Sequence, residues 1–174
     1  MSQTTYTLSQ LNGMDAPQFV QVLGGIYEHS PWVAEQAATQ RPFASAEALA
    51  AAMRNAVDTA GIEPQLKLVR AHPELAGKAA VRGELTAEST REQSGAGLNL
   101  CTPEEFARLQ ALNAQYNEKF GFPYILAVRG YDRHGIIENF SKRMENDRDT
   151  ELRTSLEQIH RIAGFRLADL ISAN

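Results

Sequence analysis

The sequence predicts an all-α protein, folded as a single-domain irregular bundle of about seven or eight helices. Apolar residues recur at the spacing of a helix face through most of the chain. Serine, threonine or aspartate precedes several of these stretches as an N-cap residue, and glycine or proline ends them. A chain of 174 residues is long enough to bury the core of one domain.

Composition argues against several classes of partner. A formal net charge of −4 indicates no basic surface of the kind that binds nucleic acid. The apolar runs are shorter than the roughly 18 residues of a membrane span, and residues 1–5 do not resemble a signal peptide. The lone cysteine, Cys101, excludes an internal disulfide and a cysteine-based zinc cluster. These features predict a cytoplasmic protein that binds neither nucleic acid nor membrane.

The first strongly amphipathic helix begins after Asp15, a good N-cap residue. Its apolar face consists of Phe19, Val22, Leu23 and Ile26. Gly24 and Gly25 fall within this helix, where each costs about 1 kcal/mol relative to alanine. We therefore expect something to approach the backbone closely at these glycines.

The next helix is predicted to begin at Ser30, as an N-cap residue before Pro31. Trp32, the one tryptophan, is expected to anchor the core. Glu28 is typical of an exposed turn, and the alternative is a supporting role in a polar site.

Two further helices lead to a histidine. Ser45 begins an alanine-rich helix that Gly61 ends, and residues 63–71 form the helix after it. Pro73 disfavours the helical conformation for the residue before it, so this helix should end at His72. A histidine at a helix end can cap carbonyls or act as a reacting group, and this stretch alone favours capping.

A polar helix is expected after Thr86, its N-cap residue. Ser89, Glu92 and Gln93 lie one helical turn apart and therefore share one face. Considered alone, that face is most simply an exposed surface that presents a hydroxyl, a carboxylate and an amide. Gly95 and the residues after it end the helix.

The next helix has a strong start at Thr102, followed by proline and then glutamate at the third position. Its apolar face runs to Phe120 through Phe106, Leu109, Leu112 and Tyr116. An apolar segment, residues 120–130, comes next, in which Pro123 keeps Phe122 extended. It reads as a short strand or a buried helical turn, and its backbone groups need partners from a ligand or a neighbouring loop.

Two helices, residues 135–146 and 150–171, complete the chain. Arg166 lies beside the apolar face of the second one, where a charge needs a partner. Asp169 is one candidate partner and a ligand oxygen is the other. The remaining histidines, His134 and His160, show no pattern that indicates function. The sequence contains no P-loop, dinucleotide-binding glycine motif, HExxH or GxSxG.

Several stretches together resemble a known family. They are HPELAGK at 72–78, STREQ at 89–93, FGFPYI at 120–125, EHSPWVA at 28–34, RPF at 41–43 and IAGFRL at 162–167. In this combination and spacing they are similar to the 2-oxo-4-hydroxy-4-carboxy-5-ureidoimidazoline (OHCU) decarboxylases, and the similarity extends over nearly the whole chain.

The resemblance implies an all-α, cofactor-free and usually dimeric enzyme that converts OHCU from urate breakdown into (S)-allantoin and carbon dioxide. It places the essential histidine at His72 and the essential glutamate at Glu92. It implies substrate contacts from Pro73, Ser89, Gln93, Phe120, Phe122, Ile125 and Arg166. The chain departs from the family pattern in two places. Gly164 and Phe165 stand where a longer side chain and then leucine are expected, which we interpret as a packing variation. Arg91 stands where alanine is expected, so Arg91 should point outward.

The residue types suit this chemistry. Loss of carbon dioxide leaves an electron pair, and a substrate with a C=N unit beside the carboxylated carbon can accept it without a cofactor. The protein must then orient the carboxylate, stabilise an enol-like intermediate and deliver one proton to one face. His72 is the natural acid–base group because imidazole ordinarily titrates near neutral pH. Two alternatives stay open, namely a decarboxylase acting on another heterocycle and a non-catalytic helical binding domain.

Overall fold

A computed structural model describes residues 4–172, except for the side chains of residues 78 and 79. Residues 1–3 of the N-terminal stretch used above as evidence against a signal peptide lie outside these residues. The described residues form ten α-helices, a 3-10 turn at Leu98–Leu100 and a single parallel bridge between Tyr6 and Ile171. The helices are α1 Leu8–Gly13, α2 Ala16–Leu23, α3 Trp32–Ala38, α4 Ala46–Asp58, α5 Ile62–Ala71, α6 Lys78–Val81, α7 Ala87–Gly95, α8 Pro103–Phe120, α9 Arg133–Arg143 and α10 Arg148–Leu170.

The all-α prediction is confirmed. The described helices exceed the predicted seven or eight because α1 and α6, of six and four residues, are too short to show an amphipathic period. Within residues 4–172, no helix has the length and apolarity of a bilayer-spanning segment.

The chain forms two compact units. The first contains the residues up to 71 and those from 160 onward, and the second contains residues 72–159. Helix α10 contributes residues to both units. The single-domain organisation stays a prediction.

Four helix starts follow the predicted capping chemistry. The side chains of Asp15, Ser45, Thr86 and Thr102 each accept a hydrogen bond from the backbone N–H three residues ahead. At Thr102 the Glu105 side chain returns a bond to the cap's own N–H and completes a capping box.

The first unit corrects two details, the end of α2 and the start of α3. Helix α2 ends at Leu23, so the glycines terminate the helix instead of lying within it. The expected close approach is present, because a Cβ on Gly24 would lie 2.6 Å from the Val20 carbonyl oxygen. Pro31, not Ser30, is the N-cap residue of α3, and the Ser30 hydroxyl instead donates to the Glu28 carbonyl at 3.1 Å.

Two aromatic predictions are wrong in degree. Trp32 is only half-buried, so it is not a fully buried anchor of the core. Phe106 is 37% exposed although it follows the apolar period of α8, because this period places it in the first turn, ahead of the buried part of the helix.

Aromatic packing dominates the second unit. Tyr124 and Phe140 stack with ring centroids 3.8 Å apart, and Tyr116 meets Tyr124 edge to face at 5.6 Å. Burial raises the pKa values of both tyrosines well above the ordinary range, so their hydroxyls stay protonated at physiological pH. This cluster holds the apolar segment that follows α8.

Candidate active site

His72 directly follows the last residue of α5, as predicted, and both His72 and Pro73 are half-buried. The chain then turns tightly. Ala76 has φ +52°, an uncommon conformation for a residue with a Cβ. A Cβ on Gly77 would lie 2.6 Å from Glu74 Cβ, so only glycine fits there. We call residues 72–77 the His72 turn.

Gln93 of α7 connects this turn to the polar helix. Its Oε1 accepts a hydrogen bond from the Ala76 N–H at 2.9 Å, and its Nε2 donates to the Glu74 carbonyl at 3.3 Å. The side-chain amide thereby satisfies two backbone groups of a turn that has an unusual conformation. These two hydrogen bonds fix the distance between α7 and the His72 turn.

The polar face of α7 is buried, which corrects its interpretation as an exposed surface. Ser89 is 3% and Gln93 7% exposed, whereas Glu92 is half-buried. Arg91 is exposed, as expected for a side chain that points outward. Burying a polar side chain costs free energy unless the side chain is hydrogen-bonded.

Amide side chains of α8 hold the other side of the turn. Gln110 donates to the Ala76 carbonyl at 2.6 Å and Asn113 donates to the Leu75 carbonyl at 3.0 Å. Asn117 donates to the Glu74 carboxylate at 2.5 Å. Sequence reasoning gave these three residues no role. Amides at positions i, i+3 and i+7 within an otherwise apolar helix face were the signal that could have found them.

The three apolar residues proposed as substrate walls, Phe120, Phe122 and Ile125, are each 1% exposed. Residues 123–128 form neither a strand nor a helical turn, so both predicted alternatives for this segment are wrong. Helix side chains bind its backbone. Arg143 donates to the Ile125 carbonyl, and the Ala127 N–H donates to Gln158 Oε1 at 3.0 Å.

Arg143 is itself held by a buried network. Its Nε lies 2.8 Å from Glu151 Oε1, and the two side chains are 7% and 0% exposed. Tyr116 donates to the same oxygen at 2.5 Å, and Asn146 donates to the other carboxylate oxygen at 2.9 Å. A buried ion pair with these additional bonds fixes the backbone next to Ile125.

In the first unit, Arg166 has a buried partner. Its Nη2 lies 2.8 Å from Glu28 Oε2, and these side chains are 4% and 1% exposed. Its Nη1 donates to the Gly25 and Ile26 carbonyls at 3.3 and 3.5 Å. Glu28 is therefore part of a buried polar site, and its interpretation as an exposed turn residue is wrong.

His160 is also in the first unit, and sequence reasoning assigned it no role. It is 8% exposed. Its Nδ1 lies 2.8 Å from the Tyr27 hydroxyl, and its Nε2 lies 3.0 Å from Asp58 Oδ1. Like Arg166, His160 lies next to the apolar face of α10, and this position in the sequence could have identified it as a buried polar residue.

The described residues contain no group of three His, Cys, Asp or Glu side chains that could hold a metal ion. Burial, followed by the negative charge of Glu105, raises the pKa of the Cys101 thiol, which disfavours a reactive thiolate. The pKa of Glu105 is lowered, chiefly by the hydrogen bond that its carboxylate accepts from the Thr102 N–H. This end of α8 is therefore explained by helix capping.

The chain is similar to known proteins over nearly its whole length. Residues 12–168 match the family model described as OHCU decarboxylase. A Haloferax volcanii protein named 2-oxo-4-hydroxy-4-carboxy-5-ureidoimidazoline decarboxylase is 42% identical over 96% of this chain and 97% of its own length. A mouse protein of the same name is 41% identical over 95% of this chain and 93% of its own. The crystal structure of an (S)-allantoin synthase matches with a TM-score of 0.78 at 30% identity, over 95% of this chain and 54% of that one.

Proposed function

Since the chain belongs to the OHCU decarboxylase family, we propose that His72 and Glu92 form the acid–base pair with which it acts on OHCU. The protein is a carboxy-lyase of urate degradation, and it converts OHCU to (S)-allantoin and carbon dioxide. One observation carries the assignment of residues. Gln93 binds the backbone of residues 74 and 76 in the His72 turn and lies on the same helix as Ser89 and Glu92. This contact supports the proposal, because it joins the helix that carries Glu92 to the turn that carries His72.

The reaction needs one proton placed with stereochemical control. When the bond to the carboxylate breaks, its electron pair forms a C=C bond, and the C=N pair moves to nitrogen, which takes up a proton. The resulting enol loses its hydroxyl proton as a proton is added to the carbon that bears the ureido group. We assign to His72 the delivery of this last proton, because a proton taken at random from water would give both enantiomers. Glu92 orients the imidazole or the substrate hydroxyl.

The other predicted residues bind the substrate in this proposal. Ser89 and Gln93 offer a hydroxyl and an amide to a ureido group, in which N–H donors and a carbonyl acceptor are both present. Arg166 binds a substrate oxygen through its planar guanidinium, whose orientation Glu28 and two carbonyls fix. Pro73, Phe120, Phe122 and Ile125 provide apolar walls that exclude water.

Replacing Arg166 by lysine is expected to lower kcat/KM by roughly 10- to 150-fold. This corresponds to about 1.5–3 kcal/mol of transition-state stabilisation, the usual contribution of a charge-assisted hydrogen bond. Lysine keeps the positive charge opposite Glu28 but lacks the planar fork. The measurement is steady-state kinetics with OHCU, together with thermal unfolding.

Asp169→Asn is the matched control, because Asp169 is an exposed charge one helical turn away from Arg166. We expect it to change kcat/KM by less than about twofold. Wild-type kinetics in a folded Arg166→Lys protein would remove Arg166 from the reaction.

The function is tested by generating OHCU enzymatically from urate and following the circular dichroism of the allantoin that forms. We expect the protein to speed formation of one enantiomer, and we expect chelator treatment to leave the rate unchanged, since no metal or organic cofactor is proposed. A product that forms at the spontaneous rate, or as a racemate, would contradict the assignment. Activity that a chelator abolishes and a metal restores would contradict only the cofactor-free mechanism.

We also propose that the protein is a cytoplasmic homodimer. The second unit has a groove of about 520 Å³ lined by Val81 and Phe106, which are 66% and 37% exposed, and Leu100 nearby is 68% exposed. A second copy of the chain would cover this apolar surface. Light scattering should give the mass of a dimer, and Leu100→Asp should shift it toward the monomer. A monomeric wild-type protein at micromolar concentration, or its recovery with a membrane fraction, would contradict the proposal.

A further inference from the structure

We infer that Tyr27, His160 and Asp58 form a hydrogen-bonded chain that positions the Arg166 guanidinium for substrate binding. Tyr27 and His160 are thereby positioning residues, which act through Arg166 and do not themselves touch the substrate. The inference rests on the role proposed above for Arg166, and its test separates the two.

The first argument is the way in which one short segment is held. Side chains of α10 bind every residue of the segment 25–28. Arg166 binds the carbonyls of Gly25 and Ile26 and the carboxylate of Glu28. His160 binds the Tyr27 hydroxyl, and Tyr27 lies between Ile26 and Glu28 in the sequence. A shift of Tyr27 would therefore move the three acceptor groups that fix the guanidinium, which lie on either side of it in the chain.

The second argument is the direction of the hydrogen bonds. A carboxylate can only accept, so the His160 Nε2–H donates to Asp58 at 3.0 Å when the imidazole is neutral. Its Nδ1 is then an acceptor, and the Tyr27 hydroxyl donates to it at 2.8 Å. Asp58 thus selects the imidazole tautomer that can hold Tyr27, although it is itself half exposed.

The third argument is incomplete packing around Tyr27. The Tyr27 and His160 side chains line a cavity of about 170 Å³, together with Gly164 and alanines of α4. The segment also follows Gly24 and contains Gly25, residues that restrict the backbone least. Because a cavity lies on this side, packing alone restrains the tyrosine less, and the hydrogen bond to His160 adds to that restraint.

The test is Tyr27→Phe, which removes the hydroxyl and keeps the ring. We expect KM for OHCU to rise about 5- to 20-fold with kcat changed by less than about threefold, because Arg166 remains present but is less well oriented. Tyr6→Phe makes the same chemical change elsewhere in the first unit and should leave both constants unchanged. In the double variant with Arg166→Lys, the Tyr27→Phe change should add little, because residues that act through one another are not additive.

Histidine variants provide the rescue. Asparagine at position 160 places its amide near the Nδ1 position and can still accept from Tyr27, whereas glutamine reaches toward Asp58 instead. We expect His160→Asn to keep KM closer to the wild-type value than His160→Gln does.

The outcomes separate the two proposals. A wild-type KM in Tyr27→Phe, beside an impaired Arg166→Lys, would overturn the positioning inference alone. A lower melting temperature in Tyr27→Phe with an unchanged KM would also overturn it, because it would indicate a purely structural bond. Wild-type kinetics in Arg166→Lys would overturn the proposed role of Arg166 and the positioning inference with it. A raised KM that is fully additive with Arg166→Lys would overturn the inference while leaving Arg166 in place.

Discussion

Replacing His72 by asparagine is expected to reduce kcat by roughly 10²–10⁴-fold, the usual contribution of a general acid–base group. The fold should remain intact, because His72 lies outside α5 and is only half-buried. Asparagine also tolerates the non-helical conformation that Pro73 imposes on this position. The measurements are the rate of (S)-allantoin formation from OHCU, and thermal unfolding of both proteins.

His134→Asn is the matched control, since its side chain is 70% exposed and its Nδ1 lies 3.3 Å from Glu105 Oε2. It should leave kcat unchanged. Near wild-type turnover in His72→Asn would remove His72 from the chemistry. A loss of activity that follows a large drop in melting temperature would instead indicate a structural role for His72.

Replacing Glu151 by glutamine is expected to lower the free energy of unfolding by about 3–5 kcal/mol, the cost of leaving one partner of a buried ion pair without the other. The Glu151 side chain is 0% exposed, and its carboxylate accepts from Arg143, Tyr116 and Asn146. Glutamine keeps the shape but leaves the Arg143 guanidinium without its counter-charge, and its NH₂ cannot accept. The measurement is urea denaturation followed by circular dichroism.

Glu138→Gln provides the control on α9, because Glu138 pairs with Lys142 at 3.1 Å while both side chains are at least 70% exposed. This change should cost at most about 1 kcal/mol. Adding Arg143→Met to Glu151→Gln should recover part of the lost stability, because it removes the uncompensated charge. Recovery should be incomplete, since Arg143 also binds the Ile125 carbonyl. A loss in Glu151→Gln no larger than in the control would show that the buried network contributes little to stability.

Local rules were sufficient for most helix boundaries. A cap side chain and the N–H that it accepts are three residues apart, so the sequence around Ser45, Thr86 or Thr102 contains both partners. The end of α5 before His72 follows in the same way from the proline next to it. Local reasoning was wrong at Ser30, because α3 begins one residue later than expected and Pro31, which makes no side-chain capping bond, occupies the N-cap position.

The same reasoning was insufficient for the segment after α8. Its apolar run and its proline indicated buried, extended chain, and residues 122–128 are buried. A strand or a buried helical turn was expected from the apolar run, with a ligand or a neighbouring loop as the partner of its backbone groups. The structure uses side chains of α9 and α10 instead, through Arg143 and Gln158, and residues 15 or more positions away leave no periodic signal.

By itself the sequence determined the all-α class, the helix starts and, through its resemblance to a family, the candidate site residues. Only the tertiary structure decided how the polar residues are paired. Arg166 pairs with Glu28 and His160 with Tyr27, at separations of 138 and 133 positions in the sequence. Asp169, by contrast, lies within one helical turn of Arg166. The physical reason is that a charge near an apolar face must find a partner, but geometry in the folded chain selects which one.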